Sequence, residues 1–260
     1  MLMNPQNLLQ PVAQLRERIA AAAARAGRSV DSVTILTVSK GHPAATVRAA
    51  IAAGLTQFGE SYLQEALPKQ SELATDPAGS GAHPSAGSST VCGPEAPAAA
   101  PIPVWHFIGR LQSNKTRPVA EHFDWVHAVD RLKVAERLAE QRPYHAPPLN
   151  VCLQVNIAGE ASKGGIAPAD VPQLARSVAA LPRLQLRGLM CLPPEEDDPA
   201  RQRVWFAKLR ELQESPWARG LPLDTLSMGT SGDFEAAILE GATIVRIGTA
   251  LLGPRSTPGG

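Results

Sequence analysis

The chain has 260 residues, 25 basic and 24 acidic side chains and a formal net charge of +1; the length suits one large α/β barrel, and the charge balance argues against a general nucleic-acid or membrane-surface binder and for a small-molecule partner. Three widely spaced cysteines, Cys92, Cys152 and Cys191, show no CxxC pairing, which speaks against a disulfide framework or a metal site and for a reducing compartment. The opening "MLMNPQNLLQPVAQLRERIA" lacks a basic region followed by a long apolar core, and no later segment reaches the roughly 18 uninterrupted apolar residues of a membrane span, so the sequence reads as soluble and cytoplasmic.

Leu8, Val12, Leu15, Ile19 and Ala22 recur at helical spacing and Gly27 stops the run, which predicts an amphipathic helix ahead of the first strand. "VTILTV", Val33 to Val38, is β-branched and apolar, as in a strand covered on both faces, and Gly41 and Pro43 end it. Lys40 at that strand end is either a solvated terminus or a reactive amine at a barrel mouth. A helix opened by Pro43 carries Val47, Ala50 and Ile51 on one face and closes at Gly54. The strand "TQFGE" and a helix around Tyr62 to Leu73 follow.

Thr75 to Pro103 is nearly all Pro, Ala, Gly and Ser without periodicity and reads as a disordered, low-complexity insertion in an otherwise single domain spanning 1–260. Alternation then resumes with the strand "VWHFIGRL", the helix "NKTRPVAEHF" and the strand "DWVHAVD". Asp130 is expected to cap a helix whose apolar face is Leu132, Ala135 and Leu138. "LNVCLQVNI" is the fifth strand, and Val171, Leu174 and Val178 mark its helix. After the strand "LQLRGLMCL", Trp205, Leu209 and Leu212 give another helical stripe. "DTLSMG" is the seventh strand, Asp233 is expected to cap a helix with Phe234, Ala237 and Ile238, and "TIVRIGTALLG" is the eighth strand. Eight strands alternating with helices predict a closed parallel (β/α)8 TIM barrel, with the first helix covering the gap after the last strand. An open doubly wound sheet would want GxGxxG after the first strand, and none is present.

In such barrels ligands sit at the carboxyl ends of the strands, with phosphate held by the loops after strands seven and eight. Lys40, Ser61, Arg110, Asn156, the turn "SMGTSGDF" and "RIGT" occupy those ends. In the first of the two turns, Gly229 permits close backbone approach and Ser231 offers a hydroxyl; Gly248 and Thr249 face the same side. Together they read as a phosphate cup, against the plainer reading of a Gly-containing N-cap turn. Arg246 shares the inward parity of Ile244 and Gly248 and needs a buried acceptor, either an acid such as Glu60 or a polar ligand atom. Lys40 has the parity of Leu36 and Val38, and an amine among apolar walls near a second cation is discouraged from protonating, which suits a Schiff base. A lysine, an anion cup and a ring-facing arginine together describe a pyridoxal phosphate site.

The stretches "VSKGHP", "FGESYLQE", "WHFIGRLQSNK", "VNIAGEASKGG", "SMGTSGDFEAAILEG" and "TIVRIGTALLG" closely resemble the pyridoxal phosphate homeostasis protein family, whose fold is like the N-terminal barrel of alanine racemase. The resemblance implies that Lys40 carries the cofactor as an internal aldimine, that Ser231, Gly248 and Thr249, with Gly229, bind its phosphate, and that Arg246 faces the pyridine nitrogen. Ser61 and Asn156 complete the implied cofactor-binding set; the family typically has Asn where this chain has Ser61, and commonly Met at Thr230. No metal and no catalytic residue are implied.

An arginine at the pyridine nitrogen weakens the ring as an electron sink, and racemisation then needs acid and base groups on both sides of the substrate carbon. Alanine racemases bring a tyrosine from a second domain, for which this chain is expected to have no room after Gly253; Tyr62 reads as helix packing, and Tyr144 lies in the Pro-rich loop "RPYHAPP". The resulting expectation is a monomeric cytoplasmic carrier of pyridoxal phosphate that delivers it to apoenzymes. The alternatives are a single-domain amino-acid racemase using His106 or another mouth residue as second base and a Schiff-base barrel lyase or aldolase acting on a phosphosugar, whose lysine would sit on a later strand. His106 reads as a hydrogen-bonded core histidine, and Lys163, although within a family motif, as a solvated loop lysine.

Overall fold

The computed structural model describes residues 5–75, 101–160 and 163–254; the expected insertion from Thr75 to Pro103 lies, for positions 76–100, outside the described residues, as does Cys92. Helix α1 (Pro5–Arg25) buries Leu8, Val12, Leu15, Ile19 and Ala22, and Gly27 leaves it at φ 66°, where glycine bears no steric penalty. Strands and helices then alternate: β1 (Thr34–Val38), α2 (Ala44–Ala52), β2 (Gln57–Glu60), α3 (Leu63–Thr75), β3 (Val104–Phe107), α4 (Thr116–His122), β4 (Trp125–Val129), α5 (Leu132–Gln141), β5 (Leu149–Val155), α6 (Val171–Ala179), β6 (Leu184–Cys191), α7 (Pro199–Glu214), β7 (Thr225–Thr230), α8 (Phe234–Leu239), β8 (Ile244–Ile247) and α9 (Thr249–Leu252).

The eight strands are parallel and close on themselves in chain order, with β1 paired to β8. Leu36 stands opposite Arg246 and Val38 opposite Gly59, so the residues that flank Lys40 and Arg246 lie on neighbouring staves. Helix α1 packs on α2, α8 and α9 and covers the seam where β8 meets β1, as expected of a barrel whose helix leads its first strand. The outer core between sheet and helices is made of such residues as Val47, Phe58, Val134, Leu138, Phe206 and Phe234, all within 1% of full burial. Each removes apolar side-chain area that stabilises the fold by roughly 1.5–3 kcal/mol.

Four local expectations are corrected. Helix α5 buries Val134, Ala135, Leu138 and Ala139, whereas Leu132 is 36% exposed; its N-cap is Arg131, and Asp130 uses its carboxylate on the Arg131 guanidinium instead of on the helix. Helix α7 buries Leu209 and packs Leu212 against the core, as expected, but Phe206 is the buried aromatic, and Trp205 is half-buried with the Lys208 ammonium 4.2 Å from its ring centre. Asp233 stands at the start of α8 without a side-chain cap bond, because Oδ1 accepts from the N–H and hydroxyl of Thr230 (2.5 and 2.8 Å). "TALLG" does not extend the eighth strand: the chain breaks at Gly248 (φ −114°, ψ −87°) and winds into α9, with the Leu251 and Leu252 N–H groups bonded to the Gly248 carbonyl.

Candidate functional site

Lys40 follows β1 by two residues in a tight turn; Ser39 before it is buried, and Gly41 after it adopts φ 75°. The turn is fastened from outside. The Lys69 ammonium on α3 donates to the Ser39 carbonyl (2.9 Å), the Ser39 hydroxyl donates to Glu60 Oε1 (2.6 Å), and the Gly41 N–H donates to Glu65 (2.8 Å). Lys40 is half-buried and opens onto a cavity of about 950 Å³ between α3 and the segment after β3. Among the described residues, three cations, Lys40, Arg110 and Lys115, and no carboxylate line it, together with apolar side chains that include Leu67 and Phe107.

The two Gly-containing turns after β7 and β8 meet. The Gly248 N–H donates to Ser231 Oγ (3.4 Å), so the two turns form one concavity. Gly229 is required by both conformation and space, because its φ is 91° and a Cβ would stand 2.6 Å from the Cβ of Ala237. Thr249 is exposed at the start of α9. The Asp233 carboxylate, which accepts from the Thr230 N–H and hydroxyl, belongs to the same turn as Ser231.

Arg246 is 4% exposed and has inward parity on β8. Its Nη1 donates to the Ser227 carbonyl (2.6 Å) and hydroxyl (2.9 Å), and its Nη2 to the Cys191 carbonyl (2.8 Å). The alternative of an ion pair with Glu60 is overturned: Glu60 is bound to Lys69 (2.5 Å) and Ser39. A fully buried carboxylate is driven toward its neutral form, and burial raises the Glu60 pKa even though Lys69 and Ser39 lower it. Burial likewise lowers the guanidinium pKa of Arg246. Its three hydrogen-bond acceptors are neutral oxygens, and the Asp233 carboxylate acts on it through electrostatic attraction without a hydrogen bond.

From Ser227 a polar chain crosses the barrel interior. Its hydroxyl lies 2.8 Å from His127 Nδ1, His127 Nε2 lies 2.9 Å from His106 Nδ1, and His106 Nε2 lies 2.8 Å from Gln57 Oε1. Burial lowers both imidazoles, His106 to about 3 and His127 well below its ordinary value, the latter also through His106 and Arg246; both rings are neutral at physiological pH. His106 is a bonded core histidine stacked on Trp125 at 5.4 Å, as its sequence context suggests.

The other expected residues fall at the same end of the barrel with different environments. Ser61 lines the Lys40 cavity, and its backbone is so close to Gly109 that a Cβ there would stand 2.3 Å from the Ser61 carbonyl oxygen. Asn156 Nδ2 donates to the Glu160 carbonyl (2.8 Å), which shapes the loop after β5. Lys163 is not a solvated lysine: it is half-buried, donates to the Pro193 carbonyl (2.7 Å) and lies 3.6 Å from Glu160, linking the loops after β5 and β6. Tyr62 is 55% exposed at the rim and does not pack as a helix residue; Tyr144 is 93% exposed. Sequence reasoning missed Lys69, His127 and Ser227. Of these, His127 and Ser227 carried a usable signal, since each is a polar residue within an apolar strand run.

Among the described residues no group of three or more His, Cys, Asp or Glu could hold a metal ion. No helix among them is long and apolar enough to cross a membrane. Cys152 and Cys191 are buried thiols, each pushed up to about 12 by burial and therefore inert as nucleophiles.

The model of the alanine racemase N-terminal domain family matches residues 12–256. The pyridoxal phosphate homeostasis protein of Pseudomonas aeruginosa is 55% identical over 95% of this chain and 96% of its own length; that of Escherichia coli K12 is 47% identical over 94% and 95%. The structure of PipY from Synechococcus elongatus with pyridoxal phosphate bound superposes with a TM-score of 0.69 at 37% identity, covering 92% of this chain and 99% of that one. Alanine racemase of Clostridium difficile shares the fold, with a TM-score of 0.68 at 12% identity, and this chain covers 59% of it.

Proposed function

This chain belongs to the pyridoxal phosphate homeostasis protein family, and from that premise we propose that it holds pyridoxal 5'-phosphate as a Schiff base on Lys40 and serves the homeostasis and delivery of the cofactor rather than substrate turnover. The observation that carries this reading is the placement, at the carboxyl ends of β1, β7 and β8, of the Lys40 turn and the joined Ser231 and Gly248 turns, with a buried Arg246 on β8 whose hydrogen bonds go to neutral oxygens. The residues fit the group. The cup offers the Ser231 and Thr249 hydroxyls and backbone N–H groups, as a phosphate needs, and the Asp233 carboxylate beside it is engaged by the Thr230 N–H and hydroxyl. The cofactor supplies an aldehyde that an amine captures and an electron-withdrawing ring.

Each residue then has a role that its surroundings support. The Lys40 amine binds the aldehyde, and Lys69 and Glu65 hold the turn that presents it. Ser231, Gly248 and Thr249 take the phosphate, and Gly229 lets the turn that carries Ser231 pack closely on α8. Arg246 would face the ring nitrogen, and Ser61 from the Lys40 cavity and Asn156 from the loop after β5 would complete the set that holds the cofactor. Delivery to pyridoxal phosphate-dependent apoenzymes, a monomeric state and a cytoplasmic location complete the proposal. His106, one candidate second base of the racemase reading, has both ring nitrogens bonded inside the barrel.

The test is borohydride reduction of the protein incubated with pyridoxal phosphate, followed by peptide mass mapping. A reduced adduct on the peptide containing Lys40, absent in Lys40→Ala, is the expected result. Adducts scattered over surface lysines, or sustained stereospecific exchange of an amino acid's α-proton in deuterated water that Lys40→Ala abolishes, would overturn it.

A further inference from the structure

We infer that Ser227, His127, His106 and Gln57 form one directed hydrogen-bond chain that orients Arg246 toward the cofactor ring, which makes His127 and Ser227 positioning residues of the site. The inference rests on the assignment of Arg246 to the ring made above and concerns how this chain holds that group in place.

The direction follows from counting hydrogens. Gln57 Oε1 can only accept, so His106 Nε2 carries the proton it shares with Gln57. A neutral His106 then has a bare Nδ1, which must receive a proton from His127 Nε2. Neutral His127 in turn has a bare Nδ1, which receives the Ser227 hydroxyl hydrogen. With its hydrogen directed to His127, Ser227 Oγ presents a lone pair to Arg246 Nη1. Every hydrogen along the chain has an acceptor, and the donors run in one sense from arginine to serine, the two histidines and glutamine.

Turning the Gln57 amide over would reverse the sequence. Gln57 would donate to His106, His106 to His127 and His127 to Ser227 Oγ, which would then receive hydrogens from His127 and Arg246 together. The serine's own hydrogen would have no acceptor among the five residues, inside a protein interior where an unmade hydrogen bond costs about 1–3 kcal/mol. A proton added to either imidazole fails for the same reason, because a ring with two N–H groups cannot accept from its neighbour. Neutral rings are also what their complete burial favours.

The chain fixes the plane of the guanidinium. Three of its five N–H groups are directed by the Ser227 carbonyl, the Ser227 hydroxyl and the Cys191 carbonyl, and the hydroxyl keeps its orientation only while His127 accepts from it. Polarisation along such a chain strengthens each bond. None of its members carries a negative charge, so the chain directs the guanidinium without forming an ion pair with it, and a ligand atom would meet a fixed N–H.

Two measurements test the inference. In 15N-labelled protein without cofactor, the imidazole nitrogens of His106 and His127 are expected to show a protonated Nε2 and a bare Nδ1 in both rings at neutral pH. An imidazolium or an Nδ1–H form in either ring overturns the direction. The second compares Ser227→Ala, His127→Leu and His127→Gln for the absorbance maximum of bound pyridoxal phosphate and its dissociation constant. Ser227→Ala and His127→Leu are expected to displace the maximum and weaken binding about tenfold, the loss of roughly one hydrogen bond to a charged group. His127→Gln is expected to recover most of both, since its amide can accept from Ser227 and donate to His106 at once. Wild-type spectrum and affinity in both Ser227→Ala and His127→Leu would overturn the positioning role while leaving cofactor binding intact. A wild-type protein without a Lys40 adduct would instead overturn the cofactor assignment and remove the target of the chain, and the NMR result would still decide its direction.

Discussion

Lys69 and Arg246 are buried to nearly the same degree, at 5% and 4% exposure, yet the barrel surrounds them differently. Between β2 and α3, Lys69 meets Glu60 at 2.5 Å and also ties down the Ser39 carbonyl. Between β6 and β8, Arg246 meets two carbonyls and a hydroxyl. Burying a paired ion is nearly self-cancelling, whereas an unpaired one carries a standing desolvation penalty. The first region therefore uses charge to hold a turn, and the second holds a cation by neutral groups, as the ring contact proposed for Arg246 requires. Local pairing separates the two cations; depth of burial does not.

The largest expected effect is on the paired region. Lys69→Met leaves the Glu60 carboxylate buried without its cation and is expected to lower unfolding free energy by about 3–5 kcal/mol near neutral pH, read from urea titration. The pH dependence sharpens the comparison. Glu60 has a folded-state pKa above its ordinary 4.5, so the folded state holds more protons than the unfolded one between those two values, and stability falls as pH rises through that window. Removing Lys69 removes two influences that lower this pKa and widens the window upward. The Lys69→Met deficit should thus shrink on acidification and grow toward neutral pH, and Glu60→Gln in the same protein should flatten the dependence. A deficit that is constant with pH would break the assignment of Glu60 as its source.

Next in size is Gly229→Ala, which places a side chain at φ 91° and 2.6 Å from Ala237. A strained conformation of this kind costs about 1–3 kcal/mol, and the displaced turn should weaken cofactor binding as well, seen by urea titration and by fluorescence titration respectively. Smaller again is Ser231→Ala. With Ser231 partly exposed, stability should change by less than about 0.5–1 kcal/mol, while affinity for pyridoxal phosphate should fall about tenfold, as for one hydrogen bond to a charged phosphate. A stability loss without an affinity loss would move Ser231 to the structural side of the comparison.

The fold was legible because its signals are repeated: eight apolar runs, each followed by a helical stripe, and Gly or Pro at the joints. The parity of Arg246 within "TIVRIG" correctly placed it inside the barrel, and the two Gly-containing turns proved to meet. What the sequence did not disclose is pairing across elements. Lys69 looks like any lysine on an exposed helix face, and only the packing of α3 on β2 brings it to Glu60. His127 in "DWVHAVD" has the periodicity of a core residue, and its meaning depends on β3 and β7, about 21 and 100 positions away. Local competition defeated the caps: Asp130 and Asp233 found nearer donors in Arg131 and Thr230 than in the helices they precede. "TALLG" was apolar enough to continue a strand, but Gly248 breaks the extended backbone and the next four residues wind into a helix.

The most direct test of the ring contact proposed for Arg246 is urea unfolding of Arg246→Met with and without pyridoxal phosphate, alongside wild type. Without ligand its stability should stay within about 1–2 kcal/mol of wild type, since losing hydrogen bonds to neutral acceptors offsets relief of a buried charge. With ligand, the stabilisation that wild type gains by mass action should be largely lost. A ligand-free deficit as large as that of Lys69→Met, or a ligand-induced gain equal to that of wild type, would contradict the distinction between the two cations.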